Sequence, residues 1–298
     1  MTSTKTLLTI ALASLMMLAC NDVEAPQTEQ EGRSSKNMNA NPTTRPELSR
    51  LEVPHIKGTS DNIVVVHKTS EFGVNYILEW DCTKKTQRWS CYTLDNSNSA
   101  KKVSRYVANK GESQYPKDPD IPSAYTFNSD PYYGTGYDHG HICPSYDRLN
   151  SKDANFQTFY ISNMQPQRNA FNAGIWLKLE NLVSNTGWWN NKSFRDTLYV
   201  CKGGTIDNAS QILGKLNTGL IVPKYFFMAI LCKNSQGYKA IGFWVEHLNE
   251  DRSNDRFTDL IVSIDDLESL TGIDFFCNLP DDIEATVEKN AYPSDWGL

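Results

Sequence analysis

Positive charge is in short supply in this chain. Its 298 residues hold 29 Lys and Arg against 35 Asp and Glu, a net charge of −6. Six basic and six acidic residues fall in positions 1–60, so the whole deficit sits in the remainder. That balance is not the usual footprint of a nucleic-acid binder, and any site for a polyanion has to be a local basic cleft. A long apolar run is also missing: the stretch from Leu7 to Ala19 is too short to span a bilayer comfortably. No CxxC pair or Cys/His cluster suggests zinc, and no internal repeat is visible. Histidine is scarce, with five in all, so any clustering of them is informative.

What is present begins with an export signal. Lys5 is the only charge ahead of the apolar stretch, the plan of a secretory leader. The stretch ends at Leu18, Ala19 and Cys20, which resembles a bacterial lipobox in which Cys20 is acylated; Met17 departs from the usual larger aliphatic, and an ordinary cleaved signal is the alternative. Residues 1–20 are therefore expected to be a lipoprotein-type signal peptide and to anchor the protein to the bacterial envelope. Residues 21–60 are polar, with too little apolar surface to fold, and read as a flexible tether. Residues 61–298 fit one domain. Its six cysteines, Cys82, Cys91, Cys143, Cys201, Cys232 and Cys277, are an even number in an exported chain, which favours disulfides of unspecified pairing.

Within the domain, "VNYILEWDCTKKTQRWSCYTLD" reads as a β-hairpin. The stretch 100–136 is a long irregular segment rich in Pro, Tyr and Gly, of the kind that covers or builds a site. "TFYISNM" reads as a short buried strand. In "FNAGIWLKLENLVSNTG", Phe171, Ile175, Leu179 and Leu182 recur with helical spacing. "DTLYVCKGG", "YFFMAILCK" and "KAIGFWVEHL" are further strands, while "SIDDLESLTG" and "PDDIEATVEK" are short helices, the second opened by Pro280. Strands arrive in antiparallel-style runs, which argues for an α+β domain with a mainly antiparallel sheet core and flanking helices.

The densest chemistry lies in "GYDHGHICPSYDR", residues 136–148, where His139 and His141 flank one glycine just after Asp138. It is followed by "FYISNMQPQRNAFNAGIWLKLE". Each residue has an ordinary reading beside a functional one. A lone histidine is more often structural than a base. Asn172 is equally a helix cap, Glu180 an exposed helix residue, and Gln167 and Arg168 loop surface. Cys143 reads as a disulfide partner or core thiol, and His55, His67 and His247 read as incidental.

Taken together, the segments around His141, Asn163 and Asn172 to Glu180 resemble the DNA/RNA non-specific endonuclease family of ββα-metal nucleases, in order and spacing, over about residues 74 to 290. The resemblance implies a strand–loop–strand–helix element around one divalent ion. It implies His141 as general base, Asn172 as the metal's protein ligand, Glu180 as the acid that holds the metal's waters, and Asn163 as a supporting residue at the site. Magnesium is the implied ion, with manganese or another divalent ion able to substitute, and DNA and RNA are the implied substrates. The same roles suit phosphodiester hydrolysis: a neutral imidazole activates water, and a hard cation with oxygen ligands carries the developing charge. On a straight helix Asn172 and Glu180 lie about 12 Å apart, so Asn172 is expected to ligate directly and Glu180 through water.

The family usually carries arginine where this chain has His139, and a second arginine upstream, in the segment that here reads "SQYPKDPDIP"; Arg105 is the nearest, some way before it. His139, Arg148, Gln167 and Arg168 are the expected substrate contacts, with His139 held protonated by Asp138 and a nearby polyanion. A protein that holds nucleic acid or a surface partner on a catalytically weakened nuclease fold, lipid-anchored, is the rival reading. The presence of both His141 and Asn172 favours the enzyme.

Overall fold

The computed structural model describes residues 37–184 and 187–298. The expected signal with Cys20, and residues 21–36 of the expected tether, lie outside them. The strands in chain order are β1 (Asn62–Thr69), β2 (Gly73–Asp81), β3 (Thr86–Leu94), β4 (Asp138–His141), β5 (Met164–Gln167), β6 (Thr197–Gly204), β7 (Ile212–Lys215), β8 (Ile221–Pro223), β9 (Tyr225–Asn234), β10 (Gly237–Glu246) and β11 (Ile261–Val262). The α-helices are α1 (Lys152–Gln157), α2 (Asn169–Phe171), α3 (Leu177–Val183), α4 (Ile264–Thr271) and α5 (Asp281–Glu288). Seven strands form one sheet in the order β1-β2-β3-β6-β9-β10-β11, with every neighbouring pair antiparallel.

Period-two alternation divides the sheet's side chains between two cores. Phe226, Met228, Ile230 and Cys232 of β9 face one layer, together with Phe171, Ile175, Trp176 and Leu179 from the helical segment around α2 and α3. Phe227, Ala229 and Leu231 face the other, against Ile264 and Leu267 of α4 and Val287 of α5. The central strands are apolar on both faces because helices cover both, which is the α+β architecture expected. No helix among the described residues is long and apolar enough to cross a membrane.

Three expectations change. Residues 37–60 are not a tether. Leu48 and Val53 are 3% and 0% exposed and belong to the second core, and Asn41 donates to the Pro54 carbonyl at 2.9 Å. Two apolar side chains and a few amides suffice to seat a segment that is polar on average. "TFYISNM" is buried, but its strand begins only at Met164; Ile161–Asn163 form a 3-10 turn. The six cysteines are all buried free thiols, not disulfides. Cys91 and Cys201 face each other across β3 and β6 in the sheet register.

Candidate active site

A two-stranded ribbon of β4 and β5 carries the site. Its register pairs Asp138 with Gln167, His139 with Pro166, Gly140 with Gln165 and His141 with Met164. The ribbon is fastened to the large sheet by Gln165, whose Nε2 donates to the Gln87 carbonyl at 3.0 Å and whose Oε1 accepts from the Gly204 amide at 2.6 Å. Gly140 is required by close approach: a Cβ there would stand 2.3 Å from Cδ of Gln167. His139 and His141, two residues apart, share the opposite face.

After β5 the chain enters the helical segment, which is not the continuous helix the spacing predicts. Residues Asn172–Trp176 wind as a π-helix between α2 and α3, and Gly174 leaves helical geometry altogether at φ −100° and ψ −113°. The 12 Å rise of a straight helix therefore does not describe the separation of Asn172 and Glu180. Such π segments often mark functional positions. Asn172, Leu177 and Glu180 all line one cleft of about 480 Å³, with Arg105, Asp138, His139 and His141. Trp176 packs beneath, fully buried and stacked on Phe171 at 5.6 Å.

His141 Nε2 has no hydrogen-bond partner among the described residues, while the ring makes a backbone hydrogen bond at His139. A neutral ring that donates through Nδ1 keeps its Nε2 lone pair free. Burial first, and then the Arg105 guanidinium, push the imidazole pKa down to about 3, which favours that neutral form. Asn172 Nδ2 donates to Asp138 Oδ2 at 3.0 Å, and Asn169 Nδ2 to the same oxygen at 2.9 Å. With its NH₂ so held, Asn172 keeps its amide oxygen available. Glu180 Oε1 accepts from Lys202 Nζ at 2.6 Å; burial raises its pKa, and Lys202 opposes the rise. Lys202 is itself 1% exposed and lies 4.9 Å over the Trp176 ring. These hard oxygen donors beside a free imidazole nitrogen suit magnesium or manganese.

Asn163 is buried and does not reach the cleft. Its Oδ1 accepts from the Cys143 amide at 2.9 Å, and its Nδ2 donates to the Cys143 carbonyl at 2.9 Å and the Thr158 carbonyl at 2.8 Å. It pins the backbone two residues after His141. Arg168 does not line the cleft itself; its guanidinium lies 4.2 Å over the ring of Tyr137, which does, and its backbone N–H donates to His247 Nε2 at 2.7 Å.

Three expected substrate contacts change. Arg148 is 2% exposed, and its guanidinium donates to the carbonyls of Asn75, Asp147 and Thr93; it braces the fold. Gln167 is fully buried behind Gly140. His139 is stacked between Tyr115 at 3.7 Å and Tyr132 at 4.1 Å, and its Nε2 contacts both oxygens of Asp130 at 3.0 Å. Burial lowers its pKa against the opposing effects of Asp130 and Asp138. The ring that was expected to meet phosphate as a cation is already partnered within the protein.

Arg105 brings a guanidinium to the cleft. It lines the cleft, bonds Ser145 Oγ and lies 4.8 Å over the Phe159 ring. The sequence left it outside the expected contacts because it sits more than thirty positions before His141 in an irregular segment. Asp138 and Lys202 were also missed as side chains that hold others; a lone lysine inside the apolar "LYVCKGG" run was the signal for Lys202. His247, read as incidental, accepts from Arg168 and donates through Nδ1 to the Pro223 carbonyl at 2.9 Å. His67, Asp118 and Asp120 form a separate cluster, and none of the three lines the cleft.

A family model described as DNA/RNA non-specific endonuclease matches residues 60–282. The mitochondrial nuclease EXOG of Danio rerio is 28% identical over 219 residues, which cover 70% of this chain and 60% of that protein. A nuclease of Nostoc sp. is 28% identical over 242 residues, 78% of this chain and 80% of that one. The chain thus spans about three fifths of the first relative's length and four fifths of the second's. A chain in a crystal structure of the EndoG/EndoGI complex superposes with a TM-score of 0.59 at 21% identity, covering 72% of this chain and 86% of that one; that likeness concerns the fold.

Proposed function

Because the chain belongs to the DNA/RNA non-specific endonuclease family, we propose that it hydrolyses phosphodiester bonds of DNA and RNA with a divalent metal ion, without strong sequence preference. The observation that carries this reading is the unpartnered Nε2 of His141 in a cleft shared with Asn172 and Glu180. His141 takes the proton of the attacking water at Nε2. Asn172, oriented by Asp138, would offer its amide oxygen to the metal, and Glu180, oriented by Lys202, would accept hydrogen bonds from water that the metal holds. When bound, the metal supplies positive charge for the transition state and the leaving oxygen. Arg105 meets the charge of the phosphate, with Arg168 over the ring of Tyr137. Asn163 fixes the backbone beside the base.

The test is nicking of supercoiled plasmid, and degradation of RNA, with magnesium and with EDTA. Wild type should cut only with the metal, and His141→Ala should lose about 10²–10⁴-fold in rate while remaining folded. A folded His141→Ala of near wild-type activity removes His141 from the mechanism.

Export and acylation at Cys20 complete the proposal and rest on the N-terminal sequence alone. Cys20→Ala should move the protein from the detergent phase to the aqueous phase. Soluble mature protein that begins elsewhere than Cys20 overturns this part.

A further inference from the structure

Away from the cleft, α4 and α5 bring together carboxylates that form no ion pair among the described residues. Asp265, Glu268 and Glu288 each place an oxygen within 4.8 Å of the others. Asp265 and Glu268 lie one turn apart on α4, and Glu288 is the last residue of α5. Asp274 and Glu284 stand close behind. Both accept from the Asn39 amide, at 3.1 and 2.8 Å for the closest contacts, and Glu268 Oε1 accepts from the Phe275 amide at 2.7 Å. His55 is the titratable base that acts on Asp274. Neither helix has a basic residue in its last turn. A carboxylate at a helix C-terminus faces the negative end of the dipole, so Glu288 is poorly placed on its own helix.

Glu288 adds an independent sign of a missing partner. The residue is 4% exposed and its Oε1 has no hydrogen-bond partner among the described residues. A buried carboxylate oxygen among other carboxylates, with nothing to pair it, is costly unless something positive or a proton fills the gap. Burial first, and then the neighbouring acids, push the Glu288 carboxyl up to about 10 and the Glu268 carboxyl up to about 8, so an unpaired charge is disfavoured there.

We propose that Asp265, Glu268 and Glu288 bind a calcium ion that ties the end of α5 to α4. Calcium accepts several carboxylate oxygens at 2.3–2.6 Å in flexible geometry, with water filling the remaining positions. Magnesium usually takes one or two carboxylates and keeps several of its waters, so three carboxylates gathered in one cluster favour calcium over magnesium. Because Asp274 and Glu284 are bridged by Asn39, the ion also steadies the seat of the N-terminal segment on the domain.

The experiment is thermal unfolding of the full domain with calcium chloride and with EGTA, together with equilibrium dialysis against calcium. Wild type should gain about 5 °C or more in Tm when calcium is about a hundred times its Kd, and magnesium should give less. In Glu268→Gln/Glu288→Gln that gain should vanish, one calcium per protein should be lost, and Tm in EGTA should equal or exceed that of wild type because repulsion is relieved. Any calcium taken by the cleft is common to both proteins and cancels in the comparison. If the double variant does not fold, Glu268→Gln alone, on a half-exposed side chain, makes the same comparison. An equal calcium gain in wild type and variant overturns the site. So does a wild-type Tm that follows pH but ignores calcium, since protons then hold the cluster.

Discussion

His139 is not free for the phosphate-binding role its position in the sequence suggests, and Arg105, given no role there, lines the cleft. The histidine, clamped by two tyrosines and Asp130, holds the wall of the cleft, while the arginine faces into it. Arg105→Ala should therefore lower kcat/KM about 10–100-fold, the worth of a charge-assisted hydrogen bond, mainly through KM, as measured by initial rates at fixed ionic strength. The same change removes the second largest depressor of the His141 imidazole, so the acid limb of kcat/KM should move to higher pH. His247 acts on stability instead. Its Nε2 accepts a hydrogen bond, and burial, its first cause, lowers its pKa to about 4, against about 6.5 unfolded. The unfolded chain binds the extra proton between those values, so this contribution is complete above about pH 6.5 and lost as pH falls towards 4. His247→Gln should flatten the fall in urea midpoint over that window relative to wild type, without abolishing it, because His141 is depressed in the same direction.

The β4–β5 ribbon and the broken helix are the elements that assemble the site. Gly140 lets Gln167 lie flat behind the two histidines, and a methyl group there collides with a buried side chain. Gly140→Ala should cost about 1–3 kcal/mol by overpacking, read from denaturant unfolding, with activity falling further as the histidines shift. Gln167→Ala should relieve most of that cost, so the double variant should be more stable than the sum of the two single changes allows. Additive effects would mean that the two side chains do not share the space. The π-helical turn at Asn172–Trp176 acts alongside the ribbon: it brings Asn172 and Glu180 to one cleft while Phe171, Ile175 and Trp176 stay buried.

For the whole molecule, the consequential feature is the packing of residues 37–60, most of which precede the span matched to the family. Leu48 and Val53 enter the second core, and each such side chain contributes about 1.5–3 kcal/mol on burial. A protein beginning at Asp61 rather than at Asn37 is therefore expected to lose several kcal/mol of stability, seen as a lower denaturant midpoint with the cleft chemistry unaltered in surviving folded molecules. Equal midpoints for the two lengths would return this segment to the status of a tether.

The sequence by itself determined the α+β class and most of the sheet strands, because these depend on local patterning, while the family resemblance of its short motifs singled out His141, Asn172 and Glu180, which the fold brings to one cleft. Period two marks β9, helical spacing marks Phe171, Ile175 and Leu179, and the paired histidines mark the ribbon. Only the tertiary structure decided which side chains serve those residues. Arg105, Asp130 and Lys202 reach the site from other elements, and burial turned Arg148 and Gln167 inward. Sequence spacing carries no record of such long-range approach. Nor does composition reveal that a mostly polar segment has two apolar side chains in the right place to dock, or that six cysteines in an even set lie as separate buried thiols.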